Sequence, residues 1–314
     1  MWFVHDNRNS RCPERLEQVV ENPSTTARGR SRRLIGLIFA GVITLPVLAG
    51  CTVQDAFHFG WPRTLPTPQS RDAFNMWIGS TIAALGVGVL VWGLIFWCII
   101  RYRKKSDELP VQTRYNLPME LLFTVTPFLA ISVLFYYTAV IQTDITHLSE
   151  NPDREVTVTA FKWNWEFSYP ETDPDGDGPE DPVKTVGTSD TIPILVVPTD
   201  ERLRFNEVSK DVIHSFWVPD LLFKQDVMPG EDNMFEVTIE EEGAYVGRCA
   251  ELCGAYHSMM NFEMRAVSSE DYEAYLEARQ EGMSTADALE SIGQDPYATT
   301  TKPFDTKPNA GTVS

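Results

Sequence analysis

The sequence predicts a membrane hairpin of two helical spans followed by an all-β sandwich or barrel. Two uncharged apolar runs between residues 76 and 141 are each long enough to cross a bilayer. From residue 155 onward, short runs alternate apolar and polar positions and are bounded by Pro, Gly, Asp or Asn, which is typical of half-buried strands. Because several such runs follow one another without a strong helical pattern among them, we expect antiparallel strands in a sandwich or barrel.

The charge of the chain limits its expected partners, and its cysteine content bears on whether disulfides are expected. The 314-residue chain has a formal net charge of -18 at pH 7. Such an acidic surface repels nucleic acid, so we expect no nucleic-acid partner, and it attracts basic proteins. A solvated surface without any partner would carry the same charge. The cysteines are odd in number and irregularly spaced, so they predict no disulfide framework. They are Cys12, Cys51, Cys98, Cys249 and Cys253.

Residues 1–50 are predicted to be an export signal that is removed from the mature chain. Four arginines precede an apolar run over residues 34–47, which is the order of a secretory signal peptide. The run ends in LAGC at residues 48–51, which resembles the lipobox of bacterial lipoproteins, whose cysteine is acylated. We therefore expect lipidation of Cys51 and an outer segment over residues 51–75. The alternative is an ordinary first transmembrane helix with an incidental cysteine.

The predicted membrane hairpin covers residues 76–141. Residues 76–100 form the first span and residues 121–140 the second, in which Pro127 is tolerated as in other membrane helices. The loop between the spans begins with the basic cluster 101–105. Since basic loops stay in the cytoplasm, we expect a multi-pass protein of the bacterial cell membrane. Both mature termini and the β domain would then lie outside the cytoplasm.

The predicted β domain covers residues 150–268. It contains an acidic stretch at residues 170–189 that is rich in Pro and Gly and predicts an exposed loop. The predicted strands lie at residues 156–161, 192–197, 203–208 and 235–239.

The C-terminal tail, residues 269–314, is predicted to be partly helical and partly disordered. Residues 270–288 are compatible with a helix, and Tyr272, Tyr275 and Leu276 recur at a spacing that places them on one face. Residues 293–314 lack periodicity, so we expect disorder there.

Two segments contain side chains that bind soft metal ions. Residues 214–219 have the sequence HSFWVP, and residues 249–260 have the sequence CAELCGAYHSMM. Two Cys, two His and one Met form a donor set that copper prefers. Two thiolates so close together can bridge two metal ions, each of which then takes one histidine, while Met260 suits a weak axial position. Gly254 permits the tight backbone that a metal loop needs.

Two other interpretations of the cysteine pair are open at this point. A zinc site is one, but zinc rarely uses Met and favours other cysteine spacings. A disulfide between Cys249 and Cys253 is possible outside the cytoplasm, but it would explain neither His257 nor Met260. The donor set therefore favours copper.

The two segments also carry a family resemblance. The pattern C-x-E-x-C-G-x-x-H-S-x-M after an upstream H-S-F-x-V-P resembles the dicopper loop, called CuA, of cytochrome c oxidase subunit II. The resemblance implies a cupredoxin-like Greek-key domain with two copper ions, and a Mg²⁺ or Mn²⁺ held by the Glu251 side chain at the interface with subunit I. The copper ligands that it implies are His214, Cys249, Glu251 through its carbonyl, Cys253, His257 and Met260.

Two further segments resemble the same family. FKWNWEFSY at residues 161–169 is similar to its aromatic segment, whose first tryptophan receives electrons from cytochrome c and is Trp163 here. Without the resemblance, core packing would be the simpler interpretation of that tryptophan. Glu120, with Thr124 and Pro127 after it, is similar to the second-helix motif whose glutamate lies at the mouth of a proton channel. An acid at the edge of a span is otherwise usually inert.

The resemblance implies subunit II of the terminal oxidase of an aerobic respiratory chain. Electrons from cytochrome c, or from a c-type haem domain, would arrive at Trp163 and pass through the copper centre to haem in subunit I. Oxygen reduction and proton pumping would occur in that partner, so this chain alone should not reduce oxygen. Subunit I and the other oxidase subunits are the implied partners, and Asp211 and Glu166 are expected on the face that docks the donor.

Three other functions remain as alternatives. A quinol oxidase subunit II has the same architecture but lacks the copper ligands that are present here. A nitrous oxide reductase has a similar dicopper loop but needs a propeller, and the sequence contains no blade repeats. A non-catalytic copper-binding lipoprotein would need neither two spans nor the motif around Glu120.

Overall fold

The computed structural model describes residues 58, 60–109, 111–170 and 182–303. The predicted export signal and Cys51 lie outside these residues, as do the centre of the acidic loop and the last eleven residues of the tail. The chain divides into two compact units, Met1–Trp61 and Pro62–Ser314. The helices and strands described below all belong to the second unit.

Two long helices form the hairpin that the apolar runs predict. Helix α1 spans Pro68–Arg101 and helix α2 spans Leu117–Ile145, so both extend beyond the predicted spans. The extension of α1 has a local cause, because Thr67 and Ser70 form a reciprocal capping box ahead of the apolar run. Both helices are long and apolar enough to cross a membrane. Their large apolar side chains are exposed in this chain, which indicates contact with lipid or with partner subunits.

The remainder of the unit is a sandwich of two five-stranded sheets. One sheet has the strand order β3-β2-β1-β5-β8, and the other has the order β4-β10-β9-β6-β7. The strands are β1 Arg154–Phe161, β2 Asn164–Tyr169, β3 Val183–Val186, β4 Ile194–Pro198, β5 Arg202–Ser209, β6 His214–Val218, β7 Phe223–Val227, β8 Asn233–Thr238, β9 Gly243–Cys249 and β10 Asn261–Val267.

The strand pairing differs from the wholly antiparallel pattern that we predicted. Strand β1 pairs with β5 in parallel, and β4 pairs with β10 in parallel, whereas the other described pairs are antiparallel. The cause is the path of the chain, which leaves the first sheet for β4 and then returns to it as β5. A strand that returns after a crossover can run in the same direction as its neighbour, whereas a strand that follows a tight hairpin cannot.

An aromatic core fills the space between the sheets and extends to the segment 249–260, which carries most of the predicted metal ligands. Phe216 lies at its centre, fully buried, with four rings at centroid distances of 4.7–5.9 Å. These rings belong to Trp165, Phe205, Phe235 and Phe262. Trp165 also donates a hydrogen bond from Nε1 to the carbonyl of Met260, at 3.3 Å. The end of the metal-binding segment is therefore held directly on the core.

Two short helices follow the sandwich, α3 at Ser269–Gln280 and α4 at Thr285–Ser291. Tyr272, Tyr275 and Leu276 are buried, so the prediction that they dock one face of the helix is confirmed.

Residues 292–303, here called the C-terminal strap, lie against strand β10. Glu263, which is fully buried, accepts hydrogen bonds from the backbone N–H groups of Thr299 and Thr300, at 2.7 and 2.8 Å. Arg265 pairs with Glu263 and donates to the carbonyls of Asp295 and Tyr297. The prediction of disorder from residue 293 onward is therefore wrong as far as residue 303. The strap is held by hydrogen bonds to a buried ion pair. Because such bonds need no apolar side chains, the sequence of the strap shows no apolar periodicity.

Glu207 is a buried carboxylic acid inside the sandwich. It follows Leu203 and Phe205 on the inward face of β5 and is 1% exposed. Neither carboxylate oxygen has a hydrogen-bond partner among the described residues. Burial, together with the negative charge of Asp226, raises the pKa of Glu207 to about 9. The folded chain therefore holds this side chain neutral at pH 7, whereas the unfolded chain ionises it.

Replacing Glu207 with leucine is expected to stabilise the fold at pH 7 by about 3 kcal/mol, since each unit of pKa shift corresponds to about 1.4 kcal/mol. The folded pKa is raised, so the ionisation part of the cost of Glu207 is absent below pH 4.5 and grows as the pH rises toward 9. Unfolding of the detergent-solubilised chain at several pH values measures both effects.

The matched control is Glu236→Leu, because Glu236 is buried but bonded to Ser149 and Arg204. That variant should be destabilised by about 3–5 kcal/mol. An equal loss in both variants would contradict this account of Glu207.

Candidate metal centre

The candidate metal centre lies at one end of the second sheet. Strand β9 ends at Cys249 and β10 begins at Asn261, so the predicted ligand loop connects two neighbouring strands. Strand β6 begins at His214 and pairs with β9 through Phe216 and Cys249. This pairing brings a histidine that is 35 residues away in sequence beside the first cysteine.

The structure brings together all six residues that the resemblance implies as copper ligands. The two cysteine sulfurs are 3.9 Å apart. Cys249 Sγ lies 3.9 Å from His214 Nδ1 and 3.3 Å from the carbonyl oxygen of Glu251. Cys253 Sγ lies 3.6 Å from His257 Nδ1 and 3.9 Å from Met260 Sδ. The two sulfurs thus occupy the middle of the group, and the other donor atoms surround them.

On its interior side the donor group is buried, and on its outer side it is partly exposed to solvent. His214, Cys249, Cys253 and Met260 are buried, whereas His257 is only partly buried. Such a rigid apolar surrounding limits the access of solvent, which tunes the properties of a bound metal ion.

The two thiols differ in how readily they ionise. Burial raises the pKa of Cys253 to about 12, and the nearby charge of Cys249 adds to this effect. Burial acts in the same direction on Cys249, but hydrogen bonds, first of all with His214, lower its pKa overall. The pair therefore does not readily ionise together. Metal binding to two thiolates must release protons and supply the positive charge that the pair lacks.

The donor set fits copper better than the two alternatives. The cysteine sulfurs are free thiols 3.9 Å apart, whereas a disulfide requires about 2.05 Å. A tetrahedral zinc ion takes four ligands, usually without Met, and would leave two of the six donors unused. Within the part of the chain that the structure describes, the only group of three or more His, Cys, Asp and Glu ligands is His214, Cys249 and Cys253.

Trp163 packs against both the ligand loop and the edge of the hydrophobic core. Its Nε1 donates a hydrogen bond to the carbonyl of Cys253, at 3.3 Å, and its ring meets that of Tyr256 edge to face at 4.9 Å. Gly254 passes beneath it with φ of +130°, and a Cβ there would lie 3.0 Å from Trp163 Nε1. Trp163, Tyr256 and Met259 line a cavity of about 630 Å³, here called the receiving cavity. The pairing with Tyr256 was not predicted, although a tyrosine inside the ligand loop is a visible signal.

Glu120 lies apart from the metal ligands, in the first turn of α2 and at the end of that helix away from the β domain. Its carboxylate accepts a hydrogen bond from the backbone N–H of Asn116 at 3.2 Å, and the Thr124 hydroxyl donates to its carbonyl. Within this chain the side chain therefore helps to cap the helix.

Asp211 makes contacts that the sequence did not predict. It accepts a hydrogen bond from His214 Nε2 at 2.8 Å, so it contacts a predicted ligand directly. Burial would raise its pKa, but bonds from His214 and from backbone N–H groups lower it overall. Glu166, the other acid expected at the docking face, lies 3.5 Å from Lys210 Nζ. The contact between Asp211 and His214 could have been inferred from their spacing of three residues in the sequence.

Comparison with known proteins agrees with this geometry. The family model described as cytochrome c oxidase subunit II, periplasmic domain, matches residues 156–267. The probable cytochrome c oxidase subunit 2 of Nocardia farcinica is 43% identical, covering 92% of each chain. The cytochrome c oxidase subunit 2 of Mycobacterium tuberculosis is 41% identical, covering 95% of this chain and 96% of that one.

A solved structure is similar at lower identity. The periplasmic domain of subunit II of cytochrome oxidase of Bradyrhizobium japonicum is 23% identical, covers 44% of this chain and 100% of that one, and has a TM-score of 0.37. At that score the likeness adds nothing to the sequence relationship.

The sequence relationship extends across the helical hairpin and the β domain together. Relatives at 41–43% identity align with more than nine-tenths of the chain. The match to the family model includes His214, Cys249 and Cys253, the three residues of this chain that could together hold a metal ion among those that the structure describes. The chain belongs to the cytochrome c oxidase subunit 2 family.

Proposed function

We propose that this chain receives single electrons from cytochrome c, or from a c-type haem domain, and passes them to haem in subunit I of a terminal respiratory oxidase. Family membership makes the chain a subunit of a membrane oxidoreductase complex that contains other subunits. The observation that supports the finer proposal is the convergence of four donor atoms around two cysteine sulfurs, directly beneath Trp163.

We assign the site to a binuclear copper centre. When bound, two copper ions would take up and release one electron, and spreading the charge over both would reduce reorganisation. Cys249 and Cys253 would be the central ligands of these ions, because their sulfurs lie in the middle of the donor group. The remaining donors of the proposed centre are His214, the carbonyl of Glu251, His257 and Met260.

The surrounding residues prepare the site for rapid electron transfer. The aromatic core excludes water from the buried side, so little solvent must reorient when an electron arrives. The bond from Trp165 to the Met260 carbonyl fixes the end of the loop. The bond from Trp163 to the Cys253 carbonyl joins the indole to the loop at a fixed position. Trp163 then connects the receiving cavity, where a donor can dock, with the ligands beneath it.

We propose a further metal ion, Mg²⁺ or Mn²⁺, at the Glu251 side chain. Carboxylate oxygens are the ligands that these hard ions prefer. Among the described residues, the Glu251 carboxylate does not belong to a group of three ligands from this chain. Subunit I, together with water, would supply the other ligands at the interface between the two chains.

The membrane arrangement is proposed from the sequence. The basic cluster 101–105 would hold the loop between α1 and α2 in the cytoplasm, so the β domain and both mature termini would lie outside it. Cleavage before Cys51 and its acylation would add a lipid anchor at the outer face. Glu120, at the cytoplasmic end of α2, would lie at a proton entrance into subunit I.

Comparison of the assembled oxidase with the isolated chain tests this proposal. The complex should consume oxygen when reduced cytochrome c is added. The isolated chain should take up copper but consume no oxygen. The proposed site only transfers electrons, and the haem that would reduce oxygen is in subunit I. Oxygen consumption by the isolated chain would contradict the proposal, as would a complex that oxidises quinol but not cytochrome c.

A further inference from the structure

The C-terminal strap ends beside the receiving cavity. Pro303, the last residue of the strap, lines this cavity of about 630 Å³ together with Trp163 and Tyr256. The strap follows helices α3 and α4, and it contributes none of the predicted metal ligands. Its position beside Trp163 therefore calls for an explanation other than metal binding.

The strap also borders a second wall of the same cavity. The segment 187–192, between β3 and β4, lines the receiving cavity through Gly187, Thr188, Ser189 and Ile192. Ile192 and Pro303 also line a second cavity, of about 350 Å³. The strap lines this second cavity with Pro296, Tyr297 and Ala298. The strap therefore lies next to the segment 187–192 along much of its length and meets the receiving cavity at its end.

A buried ion pair holds the strap in this position. Glu263, fully buried on β10, accepts hydrogen bonds from the N–H groups of Thr299 and Thr300 at 2.7 and 2.8 Å, and from the Thr300 hydroxyl at 2.8 Å. Arg265, which is 3% exposed, donates to the carbonyls of Asp295 and Tyr297. Buried charges cost free energy unless their bonding groups are satisfied, and the strap satisfies them. It is therefore a fixed part of the β domain.

We propose that the C-terminal strap is part of the surface that binds the electron donor. It forms one wall of the receiving cavity with Pro303 and supports the wall formed by residues 187–192. The partner is a c-type haem protein that presents a neutral surface to the strap. This inference rests on the proposed function, since arrival of the donor at Trp163 gives the cavity its occupant.

The composition of the strap determines the kind of contact that it can make. The whole chain has a net charge of -18, but residues 292–303 contain a single acid, Asp295, and a single base, Lys302. Tyr297 is exposed on the strap. A contact made by exposed acids weakens as salt is added, whereas a neutral contact is little affected. The strap should thus contribute to donor affinity at any salt concentration, while the acidic remainder of the surface raises the rate of encounter.

The experiment compares two truncations in the assembled oxidase. A chain that ends at Ser291 lacks the strap and everything after it, and a chain that ends at Pro303 lacks only residues 304–314. Neither deletion changes the net charge, because the charged residues that they remove are Asp295, Lys302, Asp305 and Lys307. KM and kcat with reduced soluble cytochrome c are measured at low and at high salt. Copper content, the electron paramagnetic resonance spectrum and the unfolding of each complex are recorded beside them.

The chain that ends at Ser291 is expected to show a KM raised about tenfold, or about 1.4 kcal/mol of donor binding, by the same factor at both salt concentrations. Its kcat, copper content and spectrum should be unchanged, as for the loss of an interaction that only binds. The chain that ends at Pro303 should behave as wild type. If the shorter chain does not assemble, Thr300→Pro removes the N–H and the hydroxyl that bond to Glu263 and leaves β10 intact. That variant is expected to raise KM by a smaller factor.

An unchanged KM in the variant that assembles would overturn the proposal, and so would a lowered KM, which is the behaviour of a lid over the cavity. A rise in KM at low salt only would assign the effect to charge and not to the strap surface. Loss of copper together with a raised KM would show that the strap acts through the metal loop, which also contradicts the proposal. Failure of the proposed function is distinguishable from all of these results, since the wild-type complex would then not oxidise cytochrome c.

Discussion

Replacing Cys253 with serine is expected to destroy the copper centre. Cys253 Sγ lies within 3.9 Å of Cys249 Sγ, His257 Nδ1 and Met260 Sδ, so it is close to three of the other donors. A serine hydroxyl is a hard, protonated donor and cannot replace a soft thiolate for copper. We expect copper affinity to fall by at least about 100-fold, or roughly 2.7 kcal/mol. Copper content per chain and oxidation of cytochrome c measure the loss.

The matched control for this variant is Cys98→Ser. Cys98 is a free cysteine on α1, exposed on the membrane hairpin, and contacts none of the predicted ligands. Its replacement should leave copper content and spectrum unchanged. Retention of two coppers with the wild-type spectrum in Cys253→Ser would show that Cys253 is not a ligand.

Replacing Trp163 with alanine is expected to slow electron arrival while leaving copper in place. Trp163 provides no ligand atom, but its indole lies between the receiving cavity and the Cys253 carbonyl. Removing it lengthens the path between donor and ligands, and misplacement of about 1 Å in a reacting pair can cost on the order of 100-fold in rate. Rapid mixing of the oxidase with reduced cytochrome c measures the rate of electron arrival, and metal analysis measures the copper content.

Two further variants define the role of Trp163. Trp163→Phe keeps an aromatic ring but removes the Nε1–H that bonds to Cys253, so its rate should lie between those of wild type and Trp163→Ala. Trp61→Ala removes an exposed indole outside the β domain and should not change the rate. A wild-type rate of electron arrival in Trp163→Ala would exclude Trp163 as the receiving residue.

The metal loop was predictable because its donors are close in sequence. Cys249, Cys253, His257 and Met260 lie within twelve residues, so their types and spacing already point to a soft metal ion. His214 was different, because only the pairing of β6 with β9 brings it to the loop. Its assignment from sequence depended on its residue type and on the resemblance, and not on its spacing from the loop.

The contacts of Asp211 were not predictable from local pattern. Its partner Lys162 lies 49 residues earlier and reaches it through a backbone N–H, which any residue type would provide. The parallel pairing of β1 with β5 has the same origin, since the alternation of a strand does not reveal the direction of its neighbour. Long-range backbone contacts of this kind leave no signature in residue types.

Glu207 and the C-terminal strap show two different reasons for a missed feature. Glu207 follows Leu203 and Phe205 at the period of a strand, so its buried position was available in the sequence. The strap is held to Glu263 by backbone N–H groups and threonine hydroxyls. Polar anchoring of that kind carries no periodicity, so the sequence alone resembled a disordered tail.

The most direct test of the central claim is to load the purified full-length chain with copper and record the metal stoichiometry together with the electron paramagnetic resonance spectrum. The account predicts two coppers per chain that share one unpaired electron, seen as a seven-line hyperfine pattern. One copper with four lines would contradict it, as would a colourless protein that binds zinc instead. Either of those results would leave a metal-binding membrane protein without the electron-transfer role proposed here.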